Sequence, residues 1–301
     1  MFNHLLVPLD GSKLAEAPLP AALFLARRLH AKVTLIHAIE EGAPREIHGE
    51  RHLTGTQEAG AYLAEVAARV FSPDIPVETH VHANQVKDVA RSIAEHAEEL
   101  GADMIVMCTH GRGGLRGFMF GRIAQQVTGL ATAPVLLIPP GSVGSGFSCQ
   151  KMVVPLDGDP AHEEGLTIAA QLANLCQAQL HLVMAVDTYS TLSGEKAAAA
   201  KMLPGTTCAL LDLYEQDAKK YLRARLGSLH AEGISATAEV RRGESVSAIV
   251  DFARQAKADL LVLGTHGKTG MDAFWSGSTT PGLTSRAEIP LLLVPVWDKK
   301  K

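Results

Sequence analysis

The chain has 301 residues, 47% of them hydrophobic, and 28 Lys and Arg against 32 Asp and Glu give a net charge of −4. That length suits two ordinary domains and the apolar share suits a buried core, while the lack of a basic face argues against nucleic acid as a main partner. No apolar run approaches the roughly 18 residues of a membrane span, and the only block of like charge is Lys299-Lys300-Lys301, which reads as a solvated end.

The opening "MFNHLLVPLDGS" lacks a basic region followed by a long apolar stretch, so it reads as a strand near 4–9 and not as a signal peptide. Leu19, Leu23, Ala26 and Leu29 then recur at helical spacing, and strands are expected near 33–39 and 76–82. Val86, Val89, Ile93, Ala97 and Leu100 mark a second helix, with Gly101 placed to end it at C′. Strands near 103–108 and 134–138 follow. They and the first strand are apolar without polar alternation, as expected where both faces of a sheet are covered. "PPGSVGSGFSCQ", 139–150, has the composition of a linker.

After the linker the pattern starts again. "HLLVPLDGS" at His4 returns as "KMVVPLDGD" at Lys151, and "AKVTLIHAI" at Ala31 returns as "AQLHLVMAV" at Ala178, both 147 positions on. "GADMIVMCTHG" at Gly101 matches "KADLLVLGTHG" at Lys257, and "APVLLIP" at Ala133 matches "IPLLLVP" at Ile289, both 156 positions on. The second copy therefore carries a net insertion of nine residues, expected as a loop within "DTYSTLSGEKAAAAKMLPGTTCA". Leu211, Tyr214, Ala218, Leu222, Leu226 and Leu229 mark a long helix after it. Two β-α alternations of this kind specify two tandem α/β units, 1–140 and 150–298. Each is a doubly wound, parallel, five-stranded sheet with helices on both faces. The last strand of each copy is an apolar edge, so the halves are expected to pack as a pseudo-dimer. A further homodimer is compatible but not required.

In such sheets ligands bind beyond the carboxyl ends of the strands, where the winding reverses. The first strand of each copy ends in Pro-Leu-Asp-Gly, with Asp10 or Asp157, and the fourth ends in Thr-His-Gly, with His110-Gly111 or His266-Gly267. In the second copy Gly264, Gly267, Gly277 and Ser278 are spaced to surround a phosphate chain. Ser278 would cap a helix whose first turn holds Thr279, Thr280 and Pro281. A flexible glycine loop with a simple cap would look the same on spacing alone.

The combination of "LLVPLDGS", "MVVPLDGD", "VLGTHG" and Gly264-x-x-Gly267, nine residues, Gly277-Ser278 resembles the universal stress protein family and its ATP-binding signature. Both halves resemble one family domain each. The resemblance implies a strand order of 3-2-1-4-5 in each half. It implies that Pro155, Leu156, Asp157 and Ala185 lie by the adenosine, and that Gly264, His266, Gly267, Gly277, Ser278 and Thr279 hold the ribose and phosphates. The ligand implied is ATP, or AMP or ADP; apart from the resemblance, Asp157 could contact a magnesium ion through water. The first copy departs from the signature: Cys108 stands where Gly264 does and Arg122 where Ser278 does. A side chain at Cys108 fills space the signature leaves open, whereas Arg122 brings a cation to phosphate or fills the site itself.

Other signals are weaker. "GRGGLRG" at Gly111 fails the dinucleotide fingerprint, and it follows a fourth strand instead of a first. No Walker-type loop is present, and the first strand lacks the Ser-Gly-Gly-x-Asp-Ser of adenylating pyrophosphatases. Cys108, Cys149, Cys176 and Cys208 form no CxxC pair and read as reduced thiols of a cytoplasmic protein, Cys176 on the apolar stripe of a helix. His48 and His52, or His80 and His82, could each supply two metal ligands; no third follows from spacing, so no metal site is expected. Trp275 is either a lid over the nucleotide or a loop anchor. The reading is an ATP-binding, nucleotide-dependent sensor or regulator in stress response, with its downstream partner unassigned. The alternatives are a slow ATP hydrolase or nucleotidyl transferase in the same crevice, and a scaffold with both sites empty.

Overall fold

A computed structural model describes residues 2–43, 46–47, 50–109, 121–142, 146–266 and 279–296. Among them no helix is long and apolar enough to cross a membrane. The first half runs β1 (His4–Pro8), α1 (Leu19–Leu29), β2 (Lys32–Glu40), a small hairpin β3 (Glu46–Ile47) and β4 (Glu50–Arg51), and α2 (Thr56–Val70). It continues with β5 (Val77–Val86), α3 (Val89–Glu99), β6 (Met104–Cys108), α4 (Arg122–Leu130) and β7 (Val135–Ile138). The second half runs β8 (Lys151–Pro155), α5 (Glu164–Cys176), β9 (Gln179–Val186), α6 (Gly194–Met202) and α7 (Pro204–Ala231). Then come β10 (Ala236–Arg242), α8 (Ser245–Ala256), β11 (Leu260–His266), α9 (Thr279–Arg286) and β12 (Leu291–Val296).

Two elements differ from the sequence expectation. Val86 closes β5 instead of opening α3, because Asp88 accepts a hydrogen bond from the Arg91 amide and sets the helix start at Val89. The insertion expected as a loop is helical. Its run Glu195 to Ala200 consists of strong helix formers, and Pro204 sits in the first turn of α7, where a missing N–H costs nothing.

Ten strands form one sheet in the order β10-β9-β8-β11-β12-β7-β6-β1-β2-β5. Each half is parallel and has the order 3-2-1-4-5. The halves join where β12 meets β7 antiparallel, with Leu291 opposite Leu137, Leu292 opposite Leu136 and Leu293 opposite Val135. All six side chains are buried. The last strands of the two copies thus close each other's edge, giving the expected pseudo-dimer.

The core is divided by sheet face and not by repeat. One cluster holds Leu5, Leu136, Met152 and Leu292 on the face covered by α1, α2, α5 and α7. The other holds Leu6, Leu137, Val153 and Leu291 on the face covered by α3, α4, α8 and α9. Both run through both halves. The linker adds to the first: Phe147 is buried edge-on against Phe24, with ring centres 5.5 Å apart.

The repeat is visible in polar detail at the amino ends of the strands. Asp103 accepts from the amides of Asn3 and His4, and Asp259 accepts from the amides of Gln150 and Lys151. Each carboxylate satisfies donors where its first strand begins.

Candidate functional site

The winding of each half reverses between its first and fourth strands. In the second half β8 pairs with β9 along its whole length, Lys151 to Pro155, yet with β11 only at Met152 and Val153. β11 in turn follows β12 from Leu261 to His266. The two central strands therefore part toward their carboxyl ends and leave a crevice at the switch point.

The residues expected there can now be placed. Pro155 ends β8, and the Leu156 amide extends the ladder by donating to the Val183 carbonyl at 2.9 Å. Asp157 lies at the rim. One of its oxygens accepts from the Asp159 amide at 2.9 Å, and the other is 2.6 Å from Nδ1 of His162. Ala185 is half-buried near the end of β9, opposite Arg241. Gly264 and the backbone of His266 lie at the carboxyl end of β11, and Thr279 opens α9 with Thr280 buried behind it. Gly267, Gly277, Ser278 and Trp275 lie outside the described residues, as do His110 and Gly111 of the first half.

Gly264 has a packing reason that spacing did not reveal. A Cβ on it would lie 2.9 Å from the His162 carbonyl oxygen, and a Cβ on Gly165 would lie 2.8 Å from the Gly264 amide nitrogen. The start of α5 is thus pressed backbone to backbone against the end of β11. His162 and Gly165 were not singled out in the sequence. The available hint was their position, five and eight residues after Asp157, where the chain turns from β8 into α5.

The equivalent rim of the first half is built differently. Asp10 is turned onto Ser12, accepting from its amide at 2.9 Å and its hydroxyl at 2.6 Å. Gly11 and Gly158 share a left-handed backbone, φ +92° and +91°. Over Gly11, however, sits the buried side chain of Leu53, 2.8 Å from where a Cβ would be. The segment after β4 is tied down by His37, whose Nδ1 is 2.7 Å from the Leu9 carbonyl and whose Nε2 is 3.1 Å from the Leu53 carbonyl. Ala38, the counterpart of Ala185, is next to His37. Among the described residues, only the flexible tip of Met184 comes within 4 Å of a Cβ built on Gly158. Cys108 is buried at the end of β6, and Arg122 is exposed in the first turn of α4.

The profile of the universal stress protein family matches residues 1–139 and 149–295. The chain belongs to that family. Its two matches make it a tandem universal stress protein, and its relatives come in both sizes. The universal stress protein YxiE of Bacillus subtilis is 29% identical over 150 residues, 46% of this chain but 99% of that one. A universal stress protein of Mycolicibacterium smegmatis is 23% identical over 302 residues and covers 96% of each chain. The crystal structure of a universal stress protein from Archaeoglobus fulgidus superposes with a TM-score of 0.71 at 17% identity, over 99% of this chain and 98% of that one. At that identity the likeness speaks for the tandem fold.

The remaining polar clusters lie elsewhere in this universal stress protein. Cys176 is buried on α5 with its sulfur 2.7 Å from that of Cys149, at the end of the linker. His52 is buried beside Leu53, and the structure of His48 lies outside the described residues. His80 and His82 face His96 of α3.

Proposed function

We propose that the second half binds ATP in the crevice between β8 and β11, and that occupancy is the signal this universal stress protein passes on. The observation that carries this reading is the contrast between the rims. Leu53 and the His37-tied segment cover the end of β1 and β2, whereas the ends of β8 and β9 carry no such cover among the described residues. In this reading Pro155, Leu156, Asp157 and Ala185 line the adenosine. The α9 amino end at Thr279, with Gly267, Gly277 and Ser278 before it, receives the phosphates at the positive end of the helix dipole. Magnesium, where present, is reached through water from Asp157.

Titration calorimetry with ATP on the full chain tests this. One tight site per chain is expected. Asp157→Ala should weaken it about 10- to 100-fold, the equivalent of losing a hydrogen bond to a charged or polar ligand group at about 1.5–3 kcal/mol. Asp10→Ala should leave it intact; likewise Gly267→Val should abolish binding and Gly111→Val should spare it. Two equal sites, or loss of binding in Asp10→Ala alone, would overturn the assignment.

The Asp157–His162 pair favours a second reading, slow hydrolysis, because a carboxylate-oriented imidazole at the rim is a candidate to take a proton from water. Phosphates held by backbone amides are stabilised alike in the ground state and the transition state, which gains little rate. Turnover far below the enzyme median of about 10 per second is therefore expected, and it should vanish in His162→Gln.

A further inference from the structure

We propose that His80, His82 and His96 form a binding site for a zinc-class divalent metal ion. The two strand residues are set two apart on β5, the outermost strand of the first half, so they point to the same face of the sheet. Helix α3 crosses that face and presents His96 from its last turn, buried, 14 residues from His82 in sequence. One ligand atom from each of the three imidazoles falls within 4.8 Å of the others.

The hydrogen bonds around the cluster already prepare it. Nδ1 of His96 is 2.7 Å from the Ser92 carbonyl, one turn earlier on α3. A carbonyl only accepts, so Nδ1 carries the proton and Nε2 presents its lone pair to the cluster. Backbone anchoring of the distal nitrogen is the usual outer support of a metal-bound histidine. Nε2 of His96 is 3.2 Å from Nδ1 of His82. Tetrahedral zinc with Zn–N bonds near 2.0–2.1 Å needs nitrogens about 3.4 Å apart, so this pair already stands at coordinating separation. Nε2 of His80 is buried and has no hydrogen-bond partner among the described residues, a rare condition that a ligand would relieve.

The charge state agrees. Burial first, then the neighbouring imidazoles of His96 and His82, holds His80 below the usual histidine range, so it stays neutral at pH 7 as a ligand must. The histidines line a groove of about 570 Å³ that also carries the carboxylates Asp88, Glu95 and Glu99 and the cations Lys87 and Arg91. The nearby Glu99 charge favours a cation at His80. Three imidazoles with the fourth position open to the groove suit zinc, and copper(II) or nickel(II) would compete for the same nitrogens. No thiolate is part of this cluster.

The test uses the full chain, freed of metal with a chelator and titrated with cobalt(II), followed by zinc competition against a chromophoric chelator. One equivalent bound at micromolar or tighter affinity is expected, with the visible bands of four-coordinate cobalt. His80→Gln and His82→Gln should each weaken binding about 100-fold or more, because even an outer partner of a metal ligand is worth 10- to 100-fold. His30→Asn, a substitution at the exposed end of α1, should change nothing. Circular dichroism of each metal-free variant checks that it is folded. Zinc X-ray absorption on the wild-type protein does not depend on variants folding and should show three imidazole neighbours. No uptake at micromolar metal, equal affinity in folded His80→Gln and His82→Gln, or a zinc shell without imidazole would overturn the proposal.

Discussion

Gly165 and Gly264 let α5 and β11 touch backbone to backbone, and this close approach fixes the floor of the candidate crevice. Gly165→Ala would press a methyl group onto the Gly264 amide at 2.8 Å, where neither partner is a movable side-chain tip. A loss of about 1–3 kcal/mol in urea unfolding is expected, the usual cost of overpacking. Gly227→Ala is the counter-case: Gly227 lies inside α7 with nothing among the described residues within 4 Å of its Cβ position, so the same change should stabilise by about 0.4–1 kcal/mol. Buried and half-buried histidines set a pH dependence at the same scale. Desolvation lowers the pKa of His4 and His181, and of His80, below 6.5. The unfolded chain then binds protons that the folded one refuses. The stability these groups allow is complete above pH 6.5 and is lost as pH falls through that value. Each group costs at most about 1.4 kcal/mol per pH unit within its window. Urea midpoints in the presence of a chelator should fall between pH 7.5 and 5.5. His4→Gln should flatten part of the slope, because its ring is held between Thr34 and the Leu100 carbonyl.

At the scale of elements, the strands were legible because a parallel sheet covered on both faces demands unbroken apolar runs, and "HLLVP", "KMVVP" and "LLLVP" are such runs. The Asp157 rim was legible because "PLDG" breaks such a run at a strand end. His96 was not, since it meets His82 only after α3 folds back over β5. Leu53 was equally hidden: nothing local marks a loop leucine as the cover of Gly11, 42 residues away. The insertion is helical although Ser, Gly and Pro at its ends carry loop signals, because the alanines between them favour helix. Leu53→Ala tests the cover directly. It should destabilise the protein by about 2 kcal/mol, at the low end for a buried leucine because its cluster with Ile39 and Ala59 is small. Protease cutting between β2 and α2 should rise in limited digestion, while ATP affinity of the second half stays unchanged.

At the scale of the molecule, two core layers that ignore the repeat boundary should make the halves unfold together. A single calorimetric transition is expected, with equal van't Hoff and calorimetric enthalpies. Two resolved transitions would mean that the three-pair seam is too weak to couple them. Residues 149–296 expressed alone would leave Leu291, Leu292 and Leu293 on an open edge. Light scattering should find that fragment dimeric or aggregated, not monomeric.

The antiparallel seam also sets the direction of every helix. In a parallel βαβ unit the helices run against the strands, so their amino ends gather at the carboxyl rim of the sheet. Because β12 runs opposite to β7, the rim of the second half faces one way and the rim of the first half faces the other. The backbone dipoles of the two halves therefore oppose each other and nearly cancel over the whole chain. Each rim keeps its own local positive potential. The backbone contribution alone is therefore quadrupolar, positive at two opposite rims, and it draws an anion toward neither end from far away. The central strands part in both halves, so what distinguishes the rims is decided at short range, by Leu53 over Gly11 at one and the more open Gly158 at the other.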